Sequence, residues 1–195
     1  MQIESISTFD LGHGGRVDSI EGITVGRLLL AEYDRVKEEQ KTRIGFRDNL
    51  IYVTLAAVVT VLIGMTQTHR LTLLLVLPFA TSVLGWTYLA NDEKISAIGR
   101  YVRTDLGPRL GELAGDRGYM FEWELAHRSD VRRRQRKILQ CMVDLIIFCV
   151  LPLVALAAFW CGASAAPLAV VISVLEALAV VVLGAQIVLY AEIAA

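Results

Sequence analysis

The chain has 195 residues, 55% of them hydrophobic, with a mean hydropathy of +0.53 and a formal net charge of −1. That is too apolar for a soluble domain, and the near-neutral balance gives no reason to expect a nucleic-acid partner. Charge is absent from Asn49–Thr68, Leu71–Asn91, Leu145–Leu175 and, after Glu176, Ala177–Ala191. Roughly 20 helical residues cross a hydrocarbon core of about 30 Å. The third and fourth runs become two crossings once the chain breaks near Gly162 to Pro167. The expected fold is all-α: a polytopic membrane protein with four transmembrane helices as two hairpins, carrying cytoplasmic amphipathic helices.

Lys and Arg number seven before Asn49, one between the first two crossings (Arg70), eleven from Asn91 to Lys137, and none afterwards. Cytoplasmic loops concentrate Lys and Arg. The central segment and both termini are therefore expected in the cytoplasm, with the short connections outside, in a multi-pass protein of the inner (plasma) membrane.

Residues 1–23 read as a flexible cytoplasmic tail. Met1 to Asp10 has neither the basic nor the apolar region of a signal peptide, so the first crossing is expected to target the chain. His13 with Gly12, Gly14 and Gly15 lacks the preceding strand of a phosphate-binding loop. Residues 24–48 form an amphipathic helix with Thr24 as N-cap, continuing into the first crossing, 49–68. Its stripe of Leu28, Leu29, Tyr33, Val36, Gln40 and Ile44 has two readings: one face packed on the central segment, or an oligomerisation stalk. Acid–base pairs such as Glu39 with Arg43 support the exposed face.

The second crossing, 71–90, contains Pro78, which membrane helices tolerate when neighbours satisfy the freed backbone groups. It ends in Trp86 and Tyr88, read as interfacial anchors. The cytoplasmic segment, 91–137, begins as a helix with Ile95, Ile98, Val102 and Leu106 on one stripe. Pro108 predicts a break near Leu106, and Gly111, Gly115 and Gly118 predict a loose turn region. Phe121, Trp123 and Leu125 alternate with Glu122 and Glu124 as an amphipathic segment at the membrane surface or in a partner's groove. Asp130 opens the helix that becomes the third crossing, 138–161. Arg132, Arg133, Arg134, Arg136 and Lys137 lie against the lipid and are expected to anchor on an anionic cytoplasmic leaflet.

Cys141 and Cys149 read as small buried hydrophobes. Cys161, near the external turn, reads as a free thiol, with a disulfide between chains as the alternative. Two acids lie within the apolar spans. Asp144, about two turns into the third helix, is expected to pair with Arg47, Arg136 or Lys137. Glu176, in the fourth crossing (167–190), falls near mid-membrane, where an ionisable side chain must be neutral, paired or facing water. It is a candidate pathway residue, with a structural acid as the alternative. Ala165, Ala169, Ser173 and Ala177 recur every four residues and form a close-packing seam beside it, within one chain or between subunits.

The run Glu39-Gln40-Lys41-Thr42-Arg43-Ile44-Gly45-Phe46-Arg47-Asp48-Asn49-Leu50, together with Gly85-Trp86-Thr87-Tyr88-Leu89-Ala90-Asn91-Asp92-Glu93-Lys94-Ile95, resembles a family of small actinobacterial four-helix integral membrane proteins. The resemblance covers most of the chain and implies no catalytic residues. In layout alone the chain is distantly similar to SLATT-type transmembrane effectors of bacterial defence systems. The sequence shows no metal-ligand cluster, nucleophile elbow or paired catalytic carboxylates, so no enzyme and no cofactor is expected. The expected function is a homo-oligomeric membrane protein that forms or gates a pore, with cytoplasmic helices for assembly or sensing. The alternative is a non-conducting scaffold that docks a cytoplasmic protein partner.

Overall fold

The computed structural model describes residues 14–115, 133–162 and 166–191, with side chains described from Val25 and Gln135 in the first two stretches. Every regular element among them is helical. Four helices are long and apolar enough to cross a membrane, which makes this a multi-pass membrane protein.

Helix α1 runs unbroken from Gly14 to Thr68. Thr24 is therefore interior to a helix and not at its start, and residues 14–23 belong to α1. Along it, Leu29, Tyr33, Val36, Gln40, Arg43, Arg47, Leu50, Thr54, Val58, Val61 and Met65 alternate at spacings of three and four. All are buried or half-buried, while most positions between them are exposed. This is the seam geometry of two helices packed at a shallow angle. The partner is α2, Leu71–Ala114, reached through a turn in which His69 takes a left-handed backbone (φ 56°). Leu29, Tyr33 and Val36 pack on Val102, Leu106 and Leu110. The stripe's inner part is thus satisfied within the chain, while Leu28 and Ile44 stay exposed.

Helix α2 changes pitch along its length. It opens with a 3-10 turn, Leu71–Leu75, continues as α-helix over Val76–Tyr101, passes through a π-helical turn at Val102–Leu106, and ends with Gly107–Ala114. Helix α3 does the same: Arg133–Leu145, a π-helical turn at Ile146–Val150, then Leu151–Gly162. The cause is common to both helices. Pro78, Pro108 and Pro152 lack the N–H that the carbonyl four residues earlier would use, and a local change of hydrogen-bond register absorbs the fault. The break expected near Leu106 is therefore a π-turn inside a continuous helix. The helix stops instead at Gly115, whose left-handed backbone (φ 68°) closes its end. Gly111 is buried within the helix, so no loose turn starts there. Residues 116–132 lie outside the described residues, and with them Phe121, Trp123, Leu125, Asp130 and Arg132.

Helix α4 is Pro167–Tyr190, with proline at its first position, where the missing N–H costs nothing. Two buried clusters join the four helices at different heights. One holds Leu50, Tyr88, Phe148, Val180, Leu183 and Ile187; the other holds Val58, Leu74, Leu77, Ala155 and Phe159. At Gly85 the helices pack tightly, since an added Cβ would stand 2.5 Å from Leu183 Cδ2 and 3.1 Å from Phe148. Two threonines in the spans close on their own helix: the Thr54 and Thr81 hydroxyls donate to the carbonyls of Leu50 (2.7 Å) and Leu77 (2.8 Å).

Candidate functional site

At the end of the bundle where the apolar runs meet the charged segments, the α1–α2 seam turns polar. Gln40 Nε2 donates to the Ile95 carbonyl at 3.4 Å, and Arg43 Nη1 to Asn91 Oδ1 at 3.3 Å. One turn further on, Arg47 Nη1 donates to Asp92 Oδ1 at 2.8 Å, while its other nitrogens reach Asp48. The local reason is register. The positions facing α2 pass from apolar (Val36) to polar (Gln40, Arg43, Arg47) and back to apolar (Leu50). On α2 this polar stretch meets Asn91, Asp92 and the Ile95 carbonyl. Burial by itself would lower the Arg47 pKa. The Asp92 hydrogen bond and the nearby Tyr88 and carboxylates outweigh it and hold the guanidinium above its ordinary value.

Helix α3 adds a second tier. The Tyr88 hydroxyl accepts from Gln140 Nε2 at 3.3 Å, close to Asp144, which is only 7% exposed. Asp144 lies within electrostatic reach of Arg47 and Asp92, and its Oδ1 is buried with no hydrogen-bond partner. Tyr88 is itself 2% exposed and tilted against Phe148 at 5.1 Å between ring centroids. It is a core residue of this network and not an interfacial anchor; Trp86, 43% exposed, keeps an anchor's position. An open groove of about 320 Å³ lies beside the network. Its polar end is lined by Arg47, Asp48, Arg136, Gln140 and Asp144, and its apolar flank by Ile51, Leu139 and Val143.

The second region is on α4. Ser173, Glu176, Val180, Leu183 and Ile187 recur at three- and four-residue spacing, and all but Glu176 are fully buried. Glu176 thus shares the face that packs into the bundle, and its Oε2 is buried without a hydrogen-bond partner. Ser173 accepts from Trp160 Nε1 at 2.9 Å and donates to the Val170 carbonyl at 2.8 Å. Ala169 packs against the Leu74 cluster. These two members of the small-residue seam pack within one chain; Ala165 lies outside the described residues. Cys161 is exposed and free, whereas Cys141 and Cys149 are buried.

The structure thus gathers Asp144 with Arg47 and Arg136, and places Glu176 and Ser173 together on a different face. Of the basic cluster, Arg133 and Arg134 are described as helix backbone only, Arg136 is exposed and Lys137 half-buried. Asn91, Asp92, Gln140 and Trp160 escaped the sequence reading. Their signal was position: each is a polar residue within two residues of a span's end, opposite another on a neighbouring helix.

No protein family, curated protein or solved structure matches the chain.

Proposed function

We propose that the chain is a homo-oligomeric membrane protein that conducts protons or small cations through its spans, with the charged helices at one end serving assembly or sensing. The observation that carries this reading is Glu176. An acid within a span is expensive unless it is paired or in contact with water, and Glu176 has a buried, unpartnered oxygen on the helix face turned into the bundle. Assembly is supported by the bareness of α1 and α4. Only 17% of the apolar window of each is covered within the chain, which leaves broad surfaces for lipid or further copies.

On this reading the charged end faces the cytoplasm and its anionic leaflet, with both termini there, and the chain catalyses no reaction. The four-helix, charged-arm layout is distantly similar to that of SLATT-type transmembrane effectors of bacterial defence systems. The test is flux in liposomes: wild type passes protons or monovalent cations, and Glu176→Gln changes the rate or its pH dependence while folding is kept.

One observation favours the scaffold reading instead. The outer face of α1 carries an open hollow of about 730 Å³ lined by Arg35, Glu38, Glu39, Thr42, Arg43 and Phe46, with Asn91 Nδ2 buried and unpartnered at its floor. A mixed-charge hollow with one half-exposed phenyl suits a docked protein segment. Sealed liposomes together with a tight cytoplasmic partner would favour it.

A further inference from the structure

We infer that the groove between α1 and α3 holds the headgroup of a zwitterionic phospholipid with a primary amine, as in phosphatidylethanolamine. The charge on its walls is mixed. Two guanidiniums, Arg47 and Arg136, and two carboxylates, Asp48 and Asp144, line it. A headgroup carrying only negative charge meets both carboxylates, and one carrying only positive charge meets both guanidiniums. A phosphate joined to an ammonium finds a partner for each sign.

The exposed groups of opposite sign stand on different helices. On α1, Arg47 is held by Asp92 at 2.8 Å and by Asp48 at 3.3 Å, so two acids share one cation. The Asp48 side chain stays 52% exposed, and its bonds to Arg47 fall on Oδ1. A carboxylate accepts at about four lone-pair sites, so Asp48 has capacity for an ammonium as well. On α3, Arg136 is exposed. Its guanidinium carries several donors in a fork that matches phosphate oxygens.

The apolar residues follow in the order a lipid needs. Inward from the charged end, Ile51 comes three residues after Asp48, and Leu139 and Val143 come three and seven after Arg136. At about 1.5 Å per residue, they lie roughly 5–10 Å deeper in the bilayer than the charges. Leu139 is 60% exposed and Val143 40%, which leaves a track for an acyl chain along α3. A soluble zwitterion would leave that track bare. The groove's volume of about 320 Å³ is at the small end of ligand sites, which start at roughly 300 Å³, and suits a headgroup whose chains lie outside it. The inference holds whether or not the chain conducts.

The test is native mass spectrometry of the full chain, purified in detergent and stripped of lipid. It is titrated with phosphatidylethanolamine, phosphatidylcholine and phosphatidylglycerol of identical acyl chains. The expected result is one phosphatidylethanolamine per chain, bound about tenfold more tightly than either of the others. The quaternary nitrogen of choline donates no hydrogen bond to Asp48, and glycerol brings no cation. Glycerophosphoethanolamine, the same headgroup without chains, should not displace the lipid at equal concentration. Asp48→Asn should bring phosphatidylethanolamine down to the level of phosphatidylcholine, and Arg136→Gln should weaken all three lipids. The headgroup comparison in wild type carries the test if either variant fails to fold. Phosphatidylglycerol bound as tightly as phosphatidylethanolamine would reveal a plain basic patch. Phosphatidylcholine bound as tightly would reveal unselective lipid on an apolar face. Either result, displacement by the chainless headgroup, no saturable binding, or unchanged affinities in either folded variant would overturn the inference.

Discussion

Arg47 and Asp92, 45 residues apart in sequence, meet at 2.8 Å across the α1–α2 seam at the level where the uncharged spans begin. The pair fixes the register of two long helices whose apolar contacts would otherwise tolerate sliding by a turn. Its side chains are 20% and 32% exposed, so it is neither a surface pair nor a fully buried one. Removing one partner, as in Arg47→Met, should cost about 1–2 kcal/mol, between the values for exposed and buried pairs. A double-mutant cycle with Asp92→Asn, read by thermal unfolding in detergent, should show coupling of about 1 kcal/mol. Additive losses would mean that the pair does not hold the register.

Gly85 leaves no room for a side chain. An alanine methyl there meets Leu183 at 2.5 Å and Phe148 at 3.1 Å, and both side chains are fully buried. Gly85→Ala should therefore lower stability by about 1–3 kcal/mol, the usual cost of overpacking. Leu183→Ala in the same chain should restore part of it by opening room. No loss in the single variant would contradict the packing described.

Ser173 sits inside the chain, bonded to Trp160. Ser173→Ala should cost about 0.6 kcal/mol, the average for hydrogen bonds between membrane helices. Ser173→Leu should cost more by forcing α3 and α4 apart. In both, native mass spectrometry should find the subunit number unchanged while the unfolding temperature falls. A changed subunit number would place the seam between chains.

Tyr101 hydrogen-bonds the Glu32 carboxylate, and that bond is the first cause of its raised pKa. Only the protonated phenol can donate. Its contribution to stability is complete below the ordinary tyrosine value of about 10 and is lost as pH rises through the higher folded value. Spectroscopic titration should show a late-ionising phase that loses the amplitude of one tyrosine in Tyr101→Phe. A late phase of unchanged amplitude in that variant would contradict the assignment.

The helical class and the four spans were legible because charge is missing from whole runs of spanning length, a signal that survives any detail of packing. Helix pitch was half legible. Pro108 announced a fault near Leu106, but whether a helix breaks or shifts register depends on what packs around it, and there Leu29, Tyr33 and Val36 hold it straight. The site was read in pieces. Asp144 and Glu176 stood out as charges in apolar sequence. The polar network beside Asp144 did not, because Tyr88 and Gln140 lie 52 residues apart and only the fold brings them together. Tyr88 shows the limit most clearly: a tyrosine at a span's end is an anchor if it faces lipid and a core residue if it faces α3, and helix rotation decides.

The proposed conduction rests on Glu176, and the most direct measurement is proton and cation flux into liposomes carrying wild-type or Glu176→Gln chains over a range of pH. Replacing the carboxyl by an amide keeps size and hydrogen bonding and removes the ionisable proton. The account predicts flux in wild type and a folded Gln variant whose flux is reduced or has lost its pH dependence. Liposomes that stay sealed with wild type, or a Gln variant that conducts like wild type at every pH, would contradict it.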